Sequence, residues 1–348
     1  MSIQNILICT SQVPLRYGGT ESLVQSLRDA LAKRGFQADV VSIPFRDYPN
    51  TEILKGHLVW RLLDLTESDG LKVDLVIATK FPSYLVQHPN KVTWLVHQFR
   101  QAYDFVGTNL SPFADTPEDK SLLRAIHHLD TAALAESRRL FAISDNVAKR
   151  LKRYNGLQAT PLYPPPQHEG LYRNSGYGDY LLSIGRLNLL KRVDLLVEAM
   201  GLTRSGARCL IVGEGPEEPK LRKLVRERGI EDKVEFVGFV DEKRLLDLYA
   251  GCFAFFFAPY DEDYGLVTLE AFNSQKPVIT AADSGGVLEF VEDGRTGYVI
   301  SAERPEQFAA CIDRLYADRA LCKTLGQAGY EKVRDITWDR TVDQLLGL

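Results

Sequence analysis

Two glutamates, Glu262 and Glu270, are separated by seven residues in the segment Tyr260-Asp261-Glu262-Asp263-Tyr264-Gly265-Leu266-Val267-Thr268-Leu269-Glu270. Glu262 follows the apolar run 253–258 in a polar loop, whereas Glu270 falls about one helical turn into an apolar-periodic segment that begins near Leu266. One carboxylate therefore belongs to a loop and the other to the start of a helix. Between them, Tyr264-Gly265-Leu266 presents backbone N–H groups at a helix N-terminus, where amide donors and the helix dipole hold anions. Two acids around an anion nest suit a ligand that carries both hydroxyls and phosphates. Upstream, Gly185-Arg186-Leu187-Asn188-Leu189-Leu190-Lys191-Arg192 supplies a glycine turn and cations. Glycine permits close backbone approach, arginine offers a forked donor and lysine a point charge, a set that matches a diphosphate. Arg192, one residue displaced on the helix from Lys191, reads as a solvated neighbour.

Parallel sheets covered by helices are what the chain offers to position these groups. Strand-like and helix-like patterns alternate almost throughout. Strands are expected at 5–10, 38–43, 74–79, 92–97 and 140–144, then at 180–184, 208–212, 234–237, 253–257, 278–281 and 297–300. A first helix opens at Thr20-Glu21-Ser22-Leu23, keeps Leu23, Leu27, Ala30 and Leu31 on one face, and ends at Gly35. Tyr163-Pro164-Pro165-Pro166 breaks the series and a polar, glycine-containing stretch follows. The expected organisation is a domain over 1–163, a linker over 164–179, a second domain over 180–334 and a closing helix over 335–348. Ligands are expected at the C-terminal ends of the strands, in a cleft between the domains.

Composition narrows the class. With 45% hydrophobic and 25% charged residues and a net charge of −4, the chain is neither disordered nor a general nucleic-acid binder. Cys9, Cys209, Cys252, Cys311 and Cys322 are scattered without a C-x-x-C pair, and read as reduced core thiols in a cytoplasmic protein. No signal peptide is read at the start. The 253–258 run is far too short to span a bilayer.

The second half resembles the retaining glycosyltransferases of family 4. Gly185-Arg186-Leu187 with Lys191 resembles the family's diphosphate-binding turn, and Glu262-x7-Glu270 its paired-glutamate motif. Val212-Gly213-Glu214-Gly215-Pro216, Phe236-Val237-Gly238-Phe239-Val240, Ser284-Gly285-Gly286-Val287-Leu288-Glu289 and Asp293-Gly294-Arg295-Thr296-Gly297 match in order. The first half matches only in its Gly18-Gly19 loop, its His97 and its strand–helix order. The resemblance implies the GT-B architecture, two Rossmann-like, doubly wound parallel-sheet domains of α/β class facing an interdomain cleft.

The resemblance also implies roles. Arg186 and Lys191 neutralise a donor diphosphate, aided by Gly185 and by the amides of Gly265, Leu266 and Val267. Glu270 accepts from ribose hydroxyls, Glu262 binds the transferred sugar, and Phe239 and Val240 border the base. Gly18 and Gly19 bring first-domain amides towards the phosphates, and His97 meets the sugar's hydroxymethyl side. Arg100 and Tyr103, just beyond His97, are acceptor-side candidates. The implied activity is metal-independent transfer, with retention, of a hexose from a nucleoside-diphosphate sugar, UDP-hexose ahead of GDP-mannose, to a glycan or lipid-diphosphate acceptor.

Competing readings come from the same residues. Asp261-Glu262-Asp263 offers a metal-binding D-x-D, with carboxylates spaced to hold Mg²⁺ or Mn²⁺, but Arg186 and Lys191 already supply the cationic charge and the Glu-x7-Glu register assigns Glu262 to the sugar. Gly213-x-Gly215 hints at an NAD-linked oxidoreductase, but Glu218 occupies the last glycine position of that fingerprint, and a turn with Pro216 starting a helix explains the glycines better. A catalytically silent nucleotide-sugar binder is disfavoured by the intact glutamates and cations. The adjacent His127 and His128 read as solvated or structural. Arg138-Arg139 with Lys149-Arg150 and Lys152-Arg153 reads as a solvated basic face, or else as peripheral contact with an anionic inner membrane face.

Overall fold

The structure is a computed structural model that describes residues 3–14 and 18–348. The chain divides into two compact units, one of 1–167 with 338–348 and one of 168–337. In the first unit the elements run β1 (Asn5–Gln12), α1 (Gly19–Lys33), β2 (Gln37–Pro44), α2 (Glu52–Leu62), β3 (Glu67–Ser68), β4 (Leu71–Lys72), β5 (Leu75–Ala78), β6 (Lys91–Leu95), α3 (Pro117–Ala135), β7 (Arg139–Ala142), α4 (Asp145–Asn155) and β8 (Thr160–Pro161). Six of the strands form a parallel sheet in the order β2-β1-β5-β6-β7-β8. β3 and β4 form a separate hairpin over Asp69 and Gly70, both at positive φ, the turn chemistry that suits a two-residue hairpin loop. This hairpin and β8 are additions to the elements expected from sequence.

The second unit runs β9 (Tyr180–Ile184), α5 (Val193–Leu202), β10 (Arg208–Val212), α6 (Glu218–Arg228), β11 (Val234–Gly238), α7 (Glu242–Gly251), β12 (Ala254–Phe256), α8 (Leu266–Asn273), β13 (Val278–Ala281), β14 (Gly297–Ile300), α9 (Pro305–Ala317) and α10 (Arg319–Val333). Its sheet is again parallel, ordered β11-β10-β9-β12-β13-β14. The strands are apolar on both faces because helices cover both. Leu181, Cys209, Ile211, Phe253, Phe256 and Ile279 are buried in one cluster with Val197, Met200, Phe308 and Ile312 of the covering helices.

Two boundaries differ from the sequence expectation. The stretch 168–179, expected within the linker, packs in the second unit. The Tyr177 hydroxyl donates to Gln275 O at 3.0 Å, and the buried Lys276 ammonium donates to Asn174 Oδ1 at 2.8 Å and to Gly176 O. Proline rigidity marked the break, but these polar contacts across about a hundred residues decide where the unit begins. Helix α6 opens at Glu218 with Pro219 in its first turn, so Pro216 lies in the preceding turn and does not start the helix. At the other end, α11 (Trp338–Leu346) belongs to the first unit. Arg34 pairs with Asp343 at 2.6 Å and donates to Asp339 O, and the Trp338 ring meets Trp94 edge-on.

The cysteines are all unbridged; Cys9, Cys209, Cys252 and Cys322 are buried and Cys311 is half-buried. Burial pushes the Cys252 thiol up to about 12, which makes it an unreactive core group. No helix among the described residues is long and apolar enough to cross a membrane.

Candidate functional site

In the second sheet, β9 has β10 on one side and β12 on the other, so the chain leaves the C-terminal ends of β9 and β12 in opposite directions. Such a switch point opens a crevice where loops of α/β sheets collect ligands. The turn after β9 carries Arg186 and Lys191, and the turn after β12 carries Glu262.

The β9 turn is built by backbone packing. Gly185 N donates to Val212 O and Leu187 N to Glu214 O, which lays it against the turn after β10. A Cβ at Gly213 would lie 2.2 Å from Gly185 O, and one at Gly215 would lie 2.1 Å from Leu187 O. These two glycines are therefore packing residues that let one turn rest on the other. Asn188 Oδ1 accepts from Lys191 N at 3.1 Å and caps the single 3₁₀ turn Leu189–Lys191.

Lys191 Nζ donates to Glu262 Oε2 at 2.6 Å and lies 5.1 Å from the centre of the Phe257 ring. Both side chains of the pair are 22% exposed. The geometry thus brings together a cation and a carboxylate that are 71 residues apart in sequence. Arg186 is exposed, and its side chain has no hydrogen bond or ion pair among the described residues.

Arg192 departs from the sequence expectation. It is not a solvated neighbour: its side chain is 17% exposed and turned inward. Its backbone sits at φ 46°, ψ 46°, a left-handed conformation that costs a non-glycine residue roughly 1–2 kcal/mol. The twist ends the 3₁₀ turn and swings the guanidinium onto Ala258 O, Pro259 O and both carboxylate oxygens of Asp283. Helical spacing from Lys191 gave no hint of this, because Arg192 is itself left-handed rather than helical.

Helix α8 starts from Gly265, at φ 88° and ψ 59°. A side chain there would be strained and its Cβ would lie 2.9 Å from Val287 Cγ2. The amides of Gly265, Leu266 and Val267 donate to no protein acceptor among the described residues, so the positive end of the helix dipole is open. Further along α8, the half-buried Glu270 accepts from the Tyr249 hydroxyl at 2.7 Å, with the Tyr172 ring packed on Tyr249. Burial pushes the Glu270 carboxyl above its usual range, and the Tyr249 and Tyr172 hydroxyls pull it back towards the ionised form. After β11, Phe239 stands 83% exposed and Val240 is half-buried. Among the described residues no group of three or more His, Cys, Asp or Glu side chains is arranged to hold a metal ion.

Tyr249, Tyr172, Phe257 and Asp283 are site residues that sequence reading missed. Tyr249 comes from α7 and Asp283 from the turn after β13, and neither carries a local signature that links it to the glutamates.

In the first unit, Gly18 is extended and caps α1, with Gly19 as its first helical residue; Gly18 O accepts from Ser22 N at 3.1 Å. His97 lies two residues past β6, half-buried, and its Nδ1–H donates to Gln98 O at 2.8 Å. Arg100 and Tyr103 are not displayed for a partner molecule. Arg100 is buried with its Nε on Asp104 Oδ2 at 2.9 Å and its fork over the Phe105 ring. Tyr103 is buried, stacked on His127, and donates to Asp130 Oδ2 at 2.7 Å; His57 meets the other oxygen of Asp130. Both lie close to His97 in sequence, but packing commits them to the core. His127 is structural, with its Nε2–H on Ala102 O. The basic stretch is also partly spent: Arg150 is buried beside Asp104 and the exposed Lys149 pairs with Asp145, while Arg138, Lys152 and Arg153 stand exposed.

Residues 174–332 match the family model "Glycosyl transferases group 1". An uncharacterized glycosyltransferase of Methanocaldococcus jannaschii is 24% identical over 90% of this chain and 89% of its own. Further relatives are longer, and this chain spans 65% and 59% of two of them. Among solved structures, sucrose-phosphate synthase from Thermosynechococcus elongatus superposes with a TM-score of 0.78 at 21% identity, covering 98% of this chain and 97% of that one. Anabaena HepE, in complex with UDP and glucose, superposes with a TM-score of 0.72 at 18% identity, covering 99% and 98%.

Proposed function

From a second unit that matches the glycosyl transferases group 1 model over 174–332, within a chain whose fold is that of GT-B glycosyltransferases, we propose a retaining, metal-independent hexosyltransferase. It takes a nucleoside-diphosphate sugar as donor, UDP-hexose ahead of GDP-mannose, and a glycan or lipid-linked acceptor. The observation that carries this reading is the Lys191–Glu262 pair, beside a helix N-terminus whose amides are open and on whose helix Glu270 rides.

In this reading Arg186, Lys191 and the amides of Gly265, Leu266 and Val267 hold the diphosphate. Glu270 accepts from the ribose hydroxyls and Glu262 from the hydroxyls of the transferred sugar. Arrival of the diphosphate gives Lys191 a second anion beside Glu262. The bond between the anomeric carbon and the leaving phosphate oxygen breaks, and a bond to the acceptor oxygen forms on the same face. The acceptor's proton passes to the departing phosphate. Fixed cations and amides oppose the charge that grows on the leaving group, which lowers the barrier because that charge is largest in the transition state. His97 is assigned to the donor sugar on the sequence resemblance. The binding of UDP and glucose by HepE supports the choice of UDP-hexose.

Thermal-shift screening against UDP, GDP, ADP and their hexose conjugates tests the donor class: stabilisation by one nucleotide series is expected, and indifference to all of them overturns the reading. Product with inverted anomeric configuration would refute retention, and activity abolished by excess chelator would refute metal independence. A cytoplasmic place with peripheral contact to an anionic membrane belongs to the same reading. Sedimentation with anionic vesicles at low and high salt tests it, since electrostatic contact through Lys152 and Arg153 must weaken with salt.

A further inference from the structure

We propose that Arg192 is a positioning residue that buckles together the turns after β9, β12 and β13, and so fixes how Lys191 meets Glu262. The inference rests on the donor-site reading above.

The backbone supplies the first argument. At φ 46° the position favours glycine, yet it holds the largest cationic side chain, so the guanidinium must return more than the conformation costs. Its contacts show how. Nε donates to Ala258 O at 2.9 Å and Nη2 to Pro259 O at 2.7 Å, both in the turn after β12 that leads to Glu262. Nη1 and Nη2 then fork onto Asp283 Oδ2 and Oδ1 at 2.8 and 2.6 Å, in the turn after β13. A planar fork makes these bonds together; an ammonium cannot reproduce them.

The backbone around Glu262 closes the same buckle. Tyr260 N donates to Leu190 O at 2.8 Å, Asp261 N to Asp283 O at 2.9 Å, and Gly286 N to Glu262 O at 2.8 Å. Asp261 is itself left-handed, at φ 40°. Lys191 is the residue directly before Arg192, and Glu262 the third after Pro259. A loosened Arg192 therefore frees the cation and the carboxylate to part. Glu270, on α8, is held instead by Tyr249 and lies outside the buckle.

This separation defines the test. Full-length Arg192→Gly, Arg192→Lys and Asp283→Ala are titrated by calorimetry with UMP, UDP and UDP-glucose and with the matching guanosine series, and amide exchange is followed over 258–263. Arg192→Gly removes the buckle and the backbone strain together, and Asp283→Ala removes the fork's acceptor from a half-exposed site. Both are expected to bind the monophosphate like wild type and to lose about 10- to 100-fold for the nucleotide sugar, the scale of an ångström-sized misplacement. Exchange over 258–263 accelerates while the rest of the unit is unchanged, and Arg192→Lys falls between. Unchanged nucleotide-sugar affinity, or an equal loss for monophosphate and nucleotide sugar, overturns the proposal. Should wild type bind neither series, the donor reading falls. Exchange then decides the buckle alone, acceleration supporting it and unchanged rates refuting it.

Discussion

Replacing Gly265 by alanine separates what the start of α8 contributes to stability from what it contributes to ligand binding. Two costs add. The left-handed backbone, φ 88° and ψ 59°, disfavours any Cβ by roughly 1–2 kcal/mol. The new methyl also lies 2.9 Å from Val287 Cγ2 and 3.2 Å from Phe257 Cε1, inside ordinary contact, and overpacking of that kind costs about 1–3 kcal/mol. The expected destabilisation is therefore about 2–5 kcal/mol. Gly229→Ala is the control: its φ is 62° and nothing lies within 4 Å of its Cβ, so it carries the backbone cost alone. Urea midpoints of the two variants, measured alongside wild type, isolate the steric part. Phe257 must yield to the methyl, and its ring lies under Lys191, so UDP affinity should fall at least tenfold (about 1.4 kcal/mol) in Gly265→Ala and hold in Gly229→Ala. Equal midpoints for the two variants would refute the steric argument, and unchanged UDP binding would detach α8 from the donor site.

Arg186→Ala should leave stability within about 0.5 kcal/mol, since the side chain is exposed and unpaired among the described residues, while UDP affinity falls most at low salt; a large melting shift would contradict this. Tyr249→Phe removes a hydroxyl that favours the ionised Glu270, so the acid limb of nucleotide affinity should move to higher pH in a titration series; a limb that stays put would show that Glu270 does not control binding. Lys276 is buried and its ammonium is pushed down to about 8, whereas the unfolded chain keeps that proton to about 10.4. Between those values the unfolded state binds more protons, so wild-type stability should rise with pH relative to Lys276→Met, by up to about 1.4 kcal/mol per pH unit in chemical denaturation. Parallel pH profiles would place the proton elsewhere.

Much of the second unit was legible from sequence. Strands 180–184, 208–212, 278–281 and 297–300 coincide with those observed, because each is a short apolar run closed by glycine, proline or polar residues. The glutamate pair was legible too, since a loop and a helix start can be told apart by periodicity, and the structure puts Glu262 in the one and Glu270 on the other. What local pattern missed was anything decided across the sheet. Arg192 looked solvated because helical spacing was assumed where the chain makes a 3₁₀ turn and reverses into the left-handed region. Arg100 and Tyr103 looked available because they follow His97, but Asp104 and Asp130 hold them in the core. Tyr249 reaches Glu270 from another helix, a contact that only the fold supplies.

Helix α11 has a consequence for biosynthesis. Arg34 and Asp339 touch across 305 residues of chain, so topologically the second unit is an insertion within the first. On the ribosome, the unit that starts emerging first is completed last: α1 must wait for α11 until the whole of 168–337 has been made. The second unit is continuous and can close as it appears. Contacts of such long range are slow to form because the intervening loop must first be ordered. During that interval the faces of Trp94 and α1 that α11 covers are open to chaperones and to other nascent chains.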